Sequence, residues 1–316
     1  MRAALALGER GRGRTAPNPH VGCLIMRDGR VVGRGWTQPG GRPHAEAAAL
    51  AQAGALASGA TAYTTLEPCA HRSTRGPTCA SLLAEAGIAR VVAAMTDPDP
   101  RTAGQGFAQL RAAGVDVAQG VLEGEGRRAH AGFISRVTRG RPRVTLKLAQ
   151  SVDGRIALPS GESRWITGPQ ARRHVHWLRA KSDAILVGRG TYDVDRPRLD
   201  VRIPGLEDRS PRRVLLTSGP APDGWTALAS PDAISTLGHV NDLLVEGGAQ
   251  TAAAFLRADL VDRLLIYTAP IILGAGKPAI GHLGLSALAD AHGRWAPAGG
   301  RALGPDRLDI YERLRD

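Results

Sequence analysis

The chain is short of cysteine, of lysine and of aromatic side chains, and each shortage excludes something. Three cysteines cannot form a closed disulfide framework, and no secretory signal precedes them, so a reducing, cytoplasmic setting is expected. No apolar run approaches the ~20 residues of a membrane span, which argues against a membrane protein. The Arg-rich start, MRAALALGERGRGR, imitates a transit peptide but reads better as a first helix, because motif-bearing sequence begins at Pro17. Only Lys147, Lys181 and Lys277 are lysines, and every other basic residue is Arg, a skew that looks like coding bias in an Ala- and Gly-rich chain. The net charge of +12 is spread along the chain, and with aromatics at 4% there is no basic stripe interleaved with stacking residues. Nucleic acid is therefore not the expected partner; a phosphorylated small molecule fits the charge equally well. No dinucleotide fingerprint stands out either. GAGKPA at 274–279 lacks the acid about twenty residues on that reads a ribose, and as a phosphate loop it has Ile271 where the first Gly belongs, so it reads as a turn.

What is present alternates helix and strand, which predicts an α/β layer structure. VGCLIMRDGRVVGRGW reads as a hairpin turning at Asp28-Gly29. HAEAAALAQAG and CASLLAEAG read as helices ending at Gly54 and Gly87, TAYTTLE and RVVAAM as strands, and EGRRAHAGFISRVTRGRP as a closing helix. The Gly140–Pro142 junction then suggests a boundary, with domains at 1–140 and 141–316, and the second half repeats the alternation.

The first chemical constellation lies in the front half. A catalytic zinc takes three protein ligands and keeps one open position. Cys69 and Cys79 are two candidates, and His44, in PHAE, is the third. His71 is the alternative, but it has no Glu partner. His44 and Cys79 both fall at expected helix starts, where the dipole favours thiolate. Glu46, two residues after His44, suits a proton shuttle at the metal-activated water. Cys23 sits in an apolar strand and reads as core. An H-x-E followed by P-C and a second Cys is the zinc-deaminase signature. Here nine residues separate the cysteines instead of two.

With TAPNPHVGC at 15–23, PHAE at 43–46 and TLEPCAH at 65–71, the chain resembles the bifunctional deaminase/reductase family of riboflavin biosynthesis. The second half resembles that family's reductase domain through KLAQSVDGRIA at 147–157, GESRWIT at 161–167, LRAKSDAILVG at 178–188, TYDVDRPRLDVR at 191–202 and LVEGGAQ at 244–250. The resemblance implies a cytidine-deaminase-like α/β/α domain followed by a dihydrofolate-reductase-like α/β domain. It implies zinc-hydroxide deamination of a diamino ribosylamino pyrimidinone phosphate, then NADPH reduction of the ribosyl group to ribityl. Dimers or tetramers are implied as well.

Residue by residue, the resemblance puts Asn18 against the pyrimidine. It puts Ser163, Arg179, Leu199, Arg202 and Glu246 on the sugar phosphate. Ala149, Trp165, Thr191, Asp195, Ser218 and Gly248 through Ala254 fall at the nicotinamide cofactor. Arg179 and Arg202 suit phosphate because a guanidinium offers a planar fork of donors, although in so Arg-rich a chain a solvated Arg is the plain alternative. Lys147 matches a family lysine near the reacting sugar, a catalytic position that wants a compact or titratable amine; coding chance is the alternative.

Two departures from the family pattern stand out. The Cys69–Cys79 loop has one extra residue. Between Ser218 and the strand at Asp242 lies a shortened, turn-rich segment, expected to weaken the cofactor's adenosine side or the preference for NADPH over NADH. A deaminase with a silent, structural second domain is therefore the alternative reading. A nucleic-acid-editing deaminase is a more distant one, opposed by the long cysteine spacer.

Overall fold

The computed structural model describes residues 1–71 and 76–315. Its chain divides into two compact units, Met1–Gly140 and Arg141–Asp316. In the first, helix α1 (Arg2–Gly8) precedes an antiparallel hairpin of β1 (Gly22–Arg27) and β2 (Arg30–Trp36). Asp28 and Gly29 both take positive φ, as the two-residue turn demands. Then follow α2 (Ala45–Ala53), β3 (Thr61–Thr64), α3 (Cys79–Glu85), β4 (Arg90–Ala93), α4 (Gln105–Ala112) and β5 (Asp116–Ala118). The closing helix expected within 125–142 is divided at His130 into α5 (Glu123–Ala129) and α6 (Ala131–Arg139). The sheet order is β2-β1-β3-β4-β5, with β3, β4 and β5 parallel.

Packing of α2 on this sheet fixes the first site. Ala45, Ala49 and Ala53 are buried on one helix face. Opposite them β2 carries Gly33 and Gly35; a Cβ there would come within 2.3 Å of the Ala49 carbonyl oxygen and 2.0 Å of that of Ala45. Alanine on the helix and glycine on the strand allow backbone to lie almost on backbone. The start of α2 is thereby held against the sheet with little freedom to shift.

The second unit is built on β6 (Arg143–Ser151), β7 (Arg155–Ala157), α7 (Pro169–Arg179), β8 (Ala184–Gly188), α8 (Arg189–Asp195), β9 (Arg212–Leu216), β10 (Trp225–Leu228) and β11 (Asp242–Val245). It continues with α9 (Ala249–Arg257), β12 (Arg263–Ala269), β13 (Lys277–Pro278), β14 (Trp295–Leu303) and β15 (Asp306–Arg313). The large sheet runs β10-β9-β8-β11-β6-β12-β15-β14, parallel from β10 to β12 and antiparallel beyond. Strands buried on both faces read as apolar runs, and AILVG in β8 is wholly buried.

Two expectations need amendment. The turn-rich segment after Ser218 contains β10, which extends the parallel sheet beside β9. WTAL, with its aromatic and β-branched residues, forms a strand because an open edge is there to receive it. GAGKPA is not a free turn: its Lys277–Pro278 forms β13 against β7, and a Cβ on Gly276 would lie 2.1 Å from the Ala157 carbonyl oxygen. The glycine serves strand packing.

Candidate active sites

His44 caps α2 and Cys79 opens α3, so two donors arrive on the starts of separate helices, while Cys69 comes from the loop after β3. The ligand atoms of His44, Cys69 and Cys79 lie within 4.8 Å of one another. His44 Nδ1 is 3.3 Å from Cys79 Sγ and 3.6 Å from Cys69 Sγ, and the Cys79 N–H donates to Cys69 Sγ at 3.4 Å. The Cys79 side chain, reinforced by this N–H and by His44, lowers the Cys69 thiol to about 4 against the pull of burial. Cys79 itself is pushed up, first by its contact with Cys69 and then by burial. Burial drives His44 down, but its hydrogen bond to Cys69 and the charges of Glu46 and Cys69 leave it raised. One thiolate, a second thiol and an imidazole at this spacing fit a zinc ion.

Glu46 is 3% exposed and stands in the first turn of α2. Burial raises its pKa, and the Thr64 hydroxyl lies 3.4 Å from Oε1. Asn18 Nδ2 donates to the Gly41 carbonyl at 2.8 Å and lies 3.2 Å from His44 Nε2, so Asn18 abuts a ligand directly. A cleft of about 450 Å³ opens here, lined by Arg42, His44, Gly76 and Cys79 among others.

His71 points away from the donors: its Nδ1 is 3.1 Å from Thr102 Oγ1. Cys23 is fully buried in β1, its thiol pushed up by burial. The extra residue expected between the cysteines falls in a loop of which residues 72–75 lie outside the described residues.

Sequence reasoning missed Asp97. It is buried at the end of β4, its N–H donates to Glu67 Oε2, and burial together with Asp99, Glu67 and Cys69 raises it to about 7. Glu67 is tied down separately by the N–H groups of Gly104, Gly106 and Phe107. The available signal was its place just past a parallel strand's carboxyl end, where ligands bind.

In the second unit, Lys147 on β6 and Glu246 past β11 meet Arg179 from the end of α7. Arg179 grips Glu246 by two bonds, Nε–Oε1 at 2.8 Å and Nη2–Oε2 at 3.0 Å, and its Nη1 donates to the Asp200 carbonyl at 3.1 Å. Lys147 Nζ is 3.9 Å from Glu246 Oε2. Burial pushes Lys147 down; Glu246, which burial alone would raise, is held low by Arg179 and Lys147. The fork expected to take phosphate is thus already turned to a carboxylate.

Arg202 pairs with Asp200 at 3.0 Å and is largely exposed, while Leu199 is buried under the same loop. Ser163 is half-buried and makes no hydrogen bond to this group. His176, also unforeseen, accepts the Arg202 N–H at 3.3 Å.

Of the expected cofactor positions, Thr191 Oγ1 accepts the Gly248 N–H at 3.3 Å, joining the ends of β8 and β11. Asp195 pairs with Arg164 at 2.8 Å, beside Trp165, which is 66% exposed with the Arg172 guanidinium 4.7 Å above its ring. Ala149 sits in β6 opposite Tyr267, and Ser218 follows β9. At the ends of β8 and β11 two glycines make room for Thr251 of α9: a Cβ on Gly188 would lie 2.2 Å from Thr251 Oγ1, and one on Gly247 2.5 Å from Thr251 Cβ. The N-terminus of α9, drawn close to these strand ends, suits a dinucleotide's pyrophosphate.

The fold and these two sites define a zinc-binding pyrimidine-deaminase unit joined to a reductase unit. The family model described as the cytidine and deoxycytidylate deaminase zinc-binding region matches residues 1–95, and the RibD C-terminal domain model matches residues 142–306. The Escherichia coli riboflavin biosynthesis protein RibD is 42% identical, with 92% of each chain covered, and the Aquifex aeolicus protein of that name is 36% identical over 92% of this chain and 91% of its own. A solved structure of Acinetobacter baumannii RibD superposes with a TM-score of 0.90 at 35% identity, covering 99% of this chain and 98% of that one. The Thermotoga maritima diaminohydroxyphosphoribosylaminopyrimidine deaminase/5-amino-6-(5-phosphoribosylamino)uracil reductase gives 0.89 at 30% identity, covering 99% and 97%. The chain belongs to the RibD family of riboflavin biosynthesis proteins.

Proposed function

We propose that residues 1–140 deaminate a diamino ribosylamino pyrimidinone phosphate and that residues 141–316 reduce the ribosyl group of the product to ribityl. The observation that carries this reading is one chain holding both a His44/Cys69/Cys79 cluster with Glu46 buried beside it and a buried Lys147/Glu246/Arg179 group at the carboxyl ends of parallel strands. Zinc supplies an activated water to the first reaction, and NADPH supplies reducing equivalents to the second.

Glu46 takes a proton from the attacking water and returns it to the departing amine, and burial, which raises its pKa, favours the proton-carrying form. Asn18 and Asp97 hold the pyrimidine, Asp97 remaining partly protonated near neutral pH and so able to donate. In the second unit Arg179 fixes Glu246, and Glu246 in turn fixes Lys147. Lys147, its pKa lowered by burial, is placed to supply the proton that accompanies reduction at C1′. Thr191, Asp195, Trp165, Ala149, Ser218 and Gly248 line the cofactor, and Ser163, Leu199 and Arg202 complete the sugar-phosphate side.

No helix among the described residues is long and apolar enough to cross a membrane. Two thiols needed as metal ligands support a reducing, cytoplasmic setting. The outer edge of β14, at the end of the large sheet, supports a homo-oligomer, dimer or tetramer, which light scattering tests.

The test of the whole reading supplies the undeaminated pyrimidine phosphate to zinc-loaded protein with NADPH and records ammonia alongside NADPH oxidation. Coupled signals are expected. Ammonia without NADPH oxidation means a deaminase with a silent second unit, and neither signal overturns the reading.

A further inference from the structure

Four backbone N–H groups from two stretches of chain converge on the carboxylate of Glu67, which is 2% exposed. Oε1 accepts those of Gly106 at 2.9 Å and Phe107 at 3.2 Å. Oε2 accepts those of Gly104 at 2.9 Å and Asp97 at 3.1 Å. The first turn of a helix leaves its N–H groups without intrahelical partners, and Gly104, which caps α4 with φ at 79°, has no side chain to offer them. Glu67, from the loop after β3, takes the place of that cap. Loop and helix start lie backbone on backbone: a Cβ on Gly106 would come within 2.0 Å of the Pro68 carbonyl oxygen.

A helix cap alone does not need the bond to Asp97, which stands outside α4. Asp97 and Gly104 are the two ends of the 97–104 turn, and both are tied to the same oxygen, Oε2. Inside the turn the Asp99 N–H donates to Asp97 Oδ1 at 2.9 Å, and the N–H groups of Thr102 and Ala103 donate to the Asp99 carbonyl at 2.8 Å. The segment that bears Glu67 is itself held on both sides. Its own N–H donates to the Met95 carbonyl at 3.0 Å, and two residues on, the Cys69 carbonyl accepts the Ala80 N–H of α3 at 3.2 Å. One carboxylate thus ties the turn that carries Asp97 to the loop that carries Cys69.

Resting on the reading that Asp97 holds the pyrimidine, we propose that Glu67 is a positioning residue for deamination: it closes the 97–104 turn and so fixes Asp97 against the Cys69 loop. A carboxylate suits this task because both of its oxygens accept, and its bonds to N–H groups are charge-assisted. An amide of the same shape keeps one acceptor and turns its NH₂ donors toward N–H groups, so it holds the helix start or the turn but not both. All four bonds of the Glu67 side chain run to backbone, none to Glu46 or to a zinc donor. Its influence therefore falls on substrate binding and not on the chemical step.

Steady-state deamination by the full-length, zinc-loaded protein tests the proposal with Glu67→Gln, Asp97→Ala and the double variant. Metal analysis and NADPH oxidation on supplied deaminated substrate are recorded alongside. Glu67→Gln should keep its zinc and its reduction, with kcat for deamination within about threefold. Its KM for the undeaminated pyrimidine should rise about 10- to 100-fold, the loss of one strong hydrogen bond to the substrate. Because Glu67 acts through Asp97, the double variant should have a KM within about twofold of that of Asp97→Ala alone. Additive effects, zinc loss in Glu67→Gln or an unchanged KM would each make Glu67 a plain brace of the fold and overturn the proposal. If Glu67→Gln does not accumulate as folded protein, Glu67→Asp, which keeps both acceptors on a shorter stem, carries the same comparison. Asp97→Ala with a wild-type KM would remove Asp97 from the pyrimidine and overturn the underlying reading, a result distinct from the others.

Discussion

The two units assemble their chemistry in opposite ways. In the first, His44, Glu46, Cys69 and Cys79 fall within one short stretch of chain, on two helix starts and a loop. In the second, Lys147, Arg179 and Glu246 are gathered from β6, the end of α7 and the end of β11, and they meet only because the sheet order inserts β11 between β8 and β6. A metal site demands specific donor types at short spacing and so writes itself into sequence. A site of buried charges on strand ends is written mainly in topology. The first gathers donors suited to a cation; the second already holds a counter-ion of its own, with two cations turned to one carboxylate.

The sharpest way to break this comparison is to remove one metal donor. Cys79→Ala should empty the first site of zinc and abolish ammonia release, while NADPH oxidation with supplied deaminated substrate continues unchanged. Metal analysis and the two assays read this in parallel, and loss of both activities would mean that the units are not chemically separable. Glu46→Gln should keep full zinc content yet slow deamination by about 10² to 10⁴. Zinc loss in that variant would make Glu46 a ligand instead of a proton carrier.

In the second unit, Glu246→Gln leaves the charges of Arg179 and Lys147 buried without their counter-ion. Thermal unfolding should reveal a destabilisation of about 3 kcal/mol, together with loss of reduction and retention of deamination. A variant that keeps its stability would show that this group is solvated and not a buried ion cluster.

A last effect, confined to acid conditions, concerns His130, where the closing helix is divided. Its Nε2 is 3.0 Å from Thr65 Oγ1 and its ring centroid 5.3 Å from that of His20, and burial lowers its pKa to about 3. It is neutral in the fold and protonates near pH 6.5 when unfolded. Its contribution is therefore intact above about 6.5 and is lost as pH falls toward 3, by about 1.4 kcal/mol per unit. Denaturant titrations between pH 6 and 4 should show a shallower acid slope for His130→Asn than for wild type; equal slopes would show that His130 takes up its proton without unfolding.

Much of the framework was legible beforehand. The Asp28-Gly29 hairpin and the helices closed at Gly54 and Gly87 carry local signals: turn residues, caps and alternation. The β10 strand was not legible, because WTAL is short and its neighbours are turn formers; the exposed edge of β9 supplied the pairing that sequence lacked. Asp97 escaped notice because an Asp in a DPDP turn is ordinary until burial beside Glu67 and Asp99 raises its pKa. Arg179 was expected to face phosphate, and only the fold shows both donors of its fork on Glu246.

By itself the sequence determined that donor types suited to a metal, with Glu46 close beside one of them, lie near one another along the chain, and it set the alternation that makes two α/β units, since each rests on residue type and short spacing. Only the tertiary structure decided which charges pair with one another, where glycine admits a closely packed helix and which of many arginines is turned to a buried carboxylate. Those are matters of distance between residues far apart in the chain, set by strand order and by the low dielectric of a packed interior.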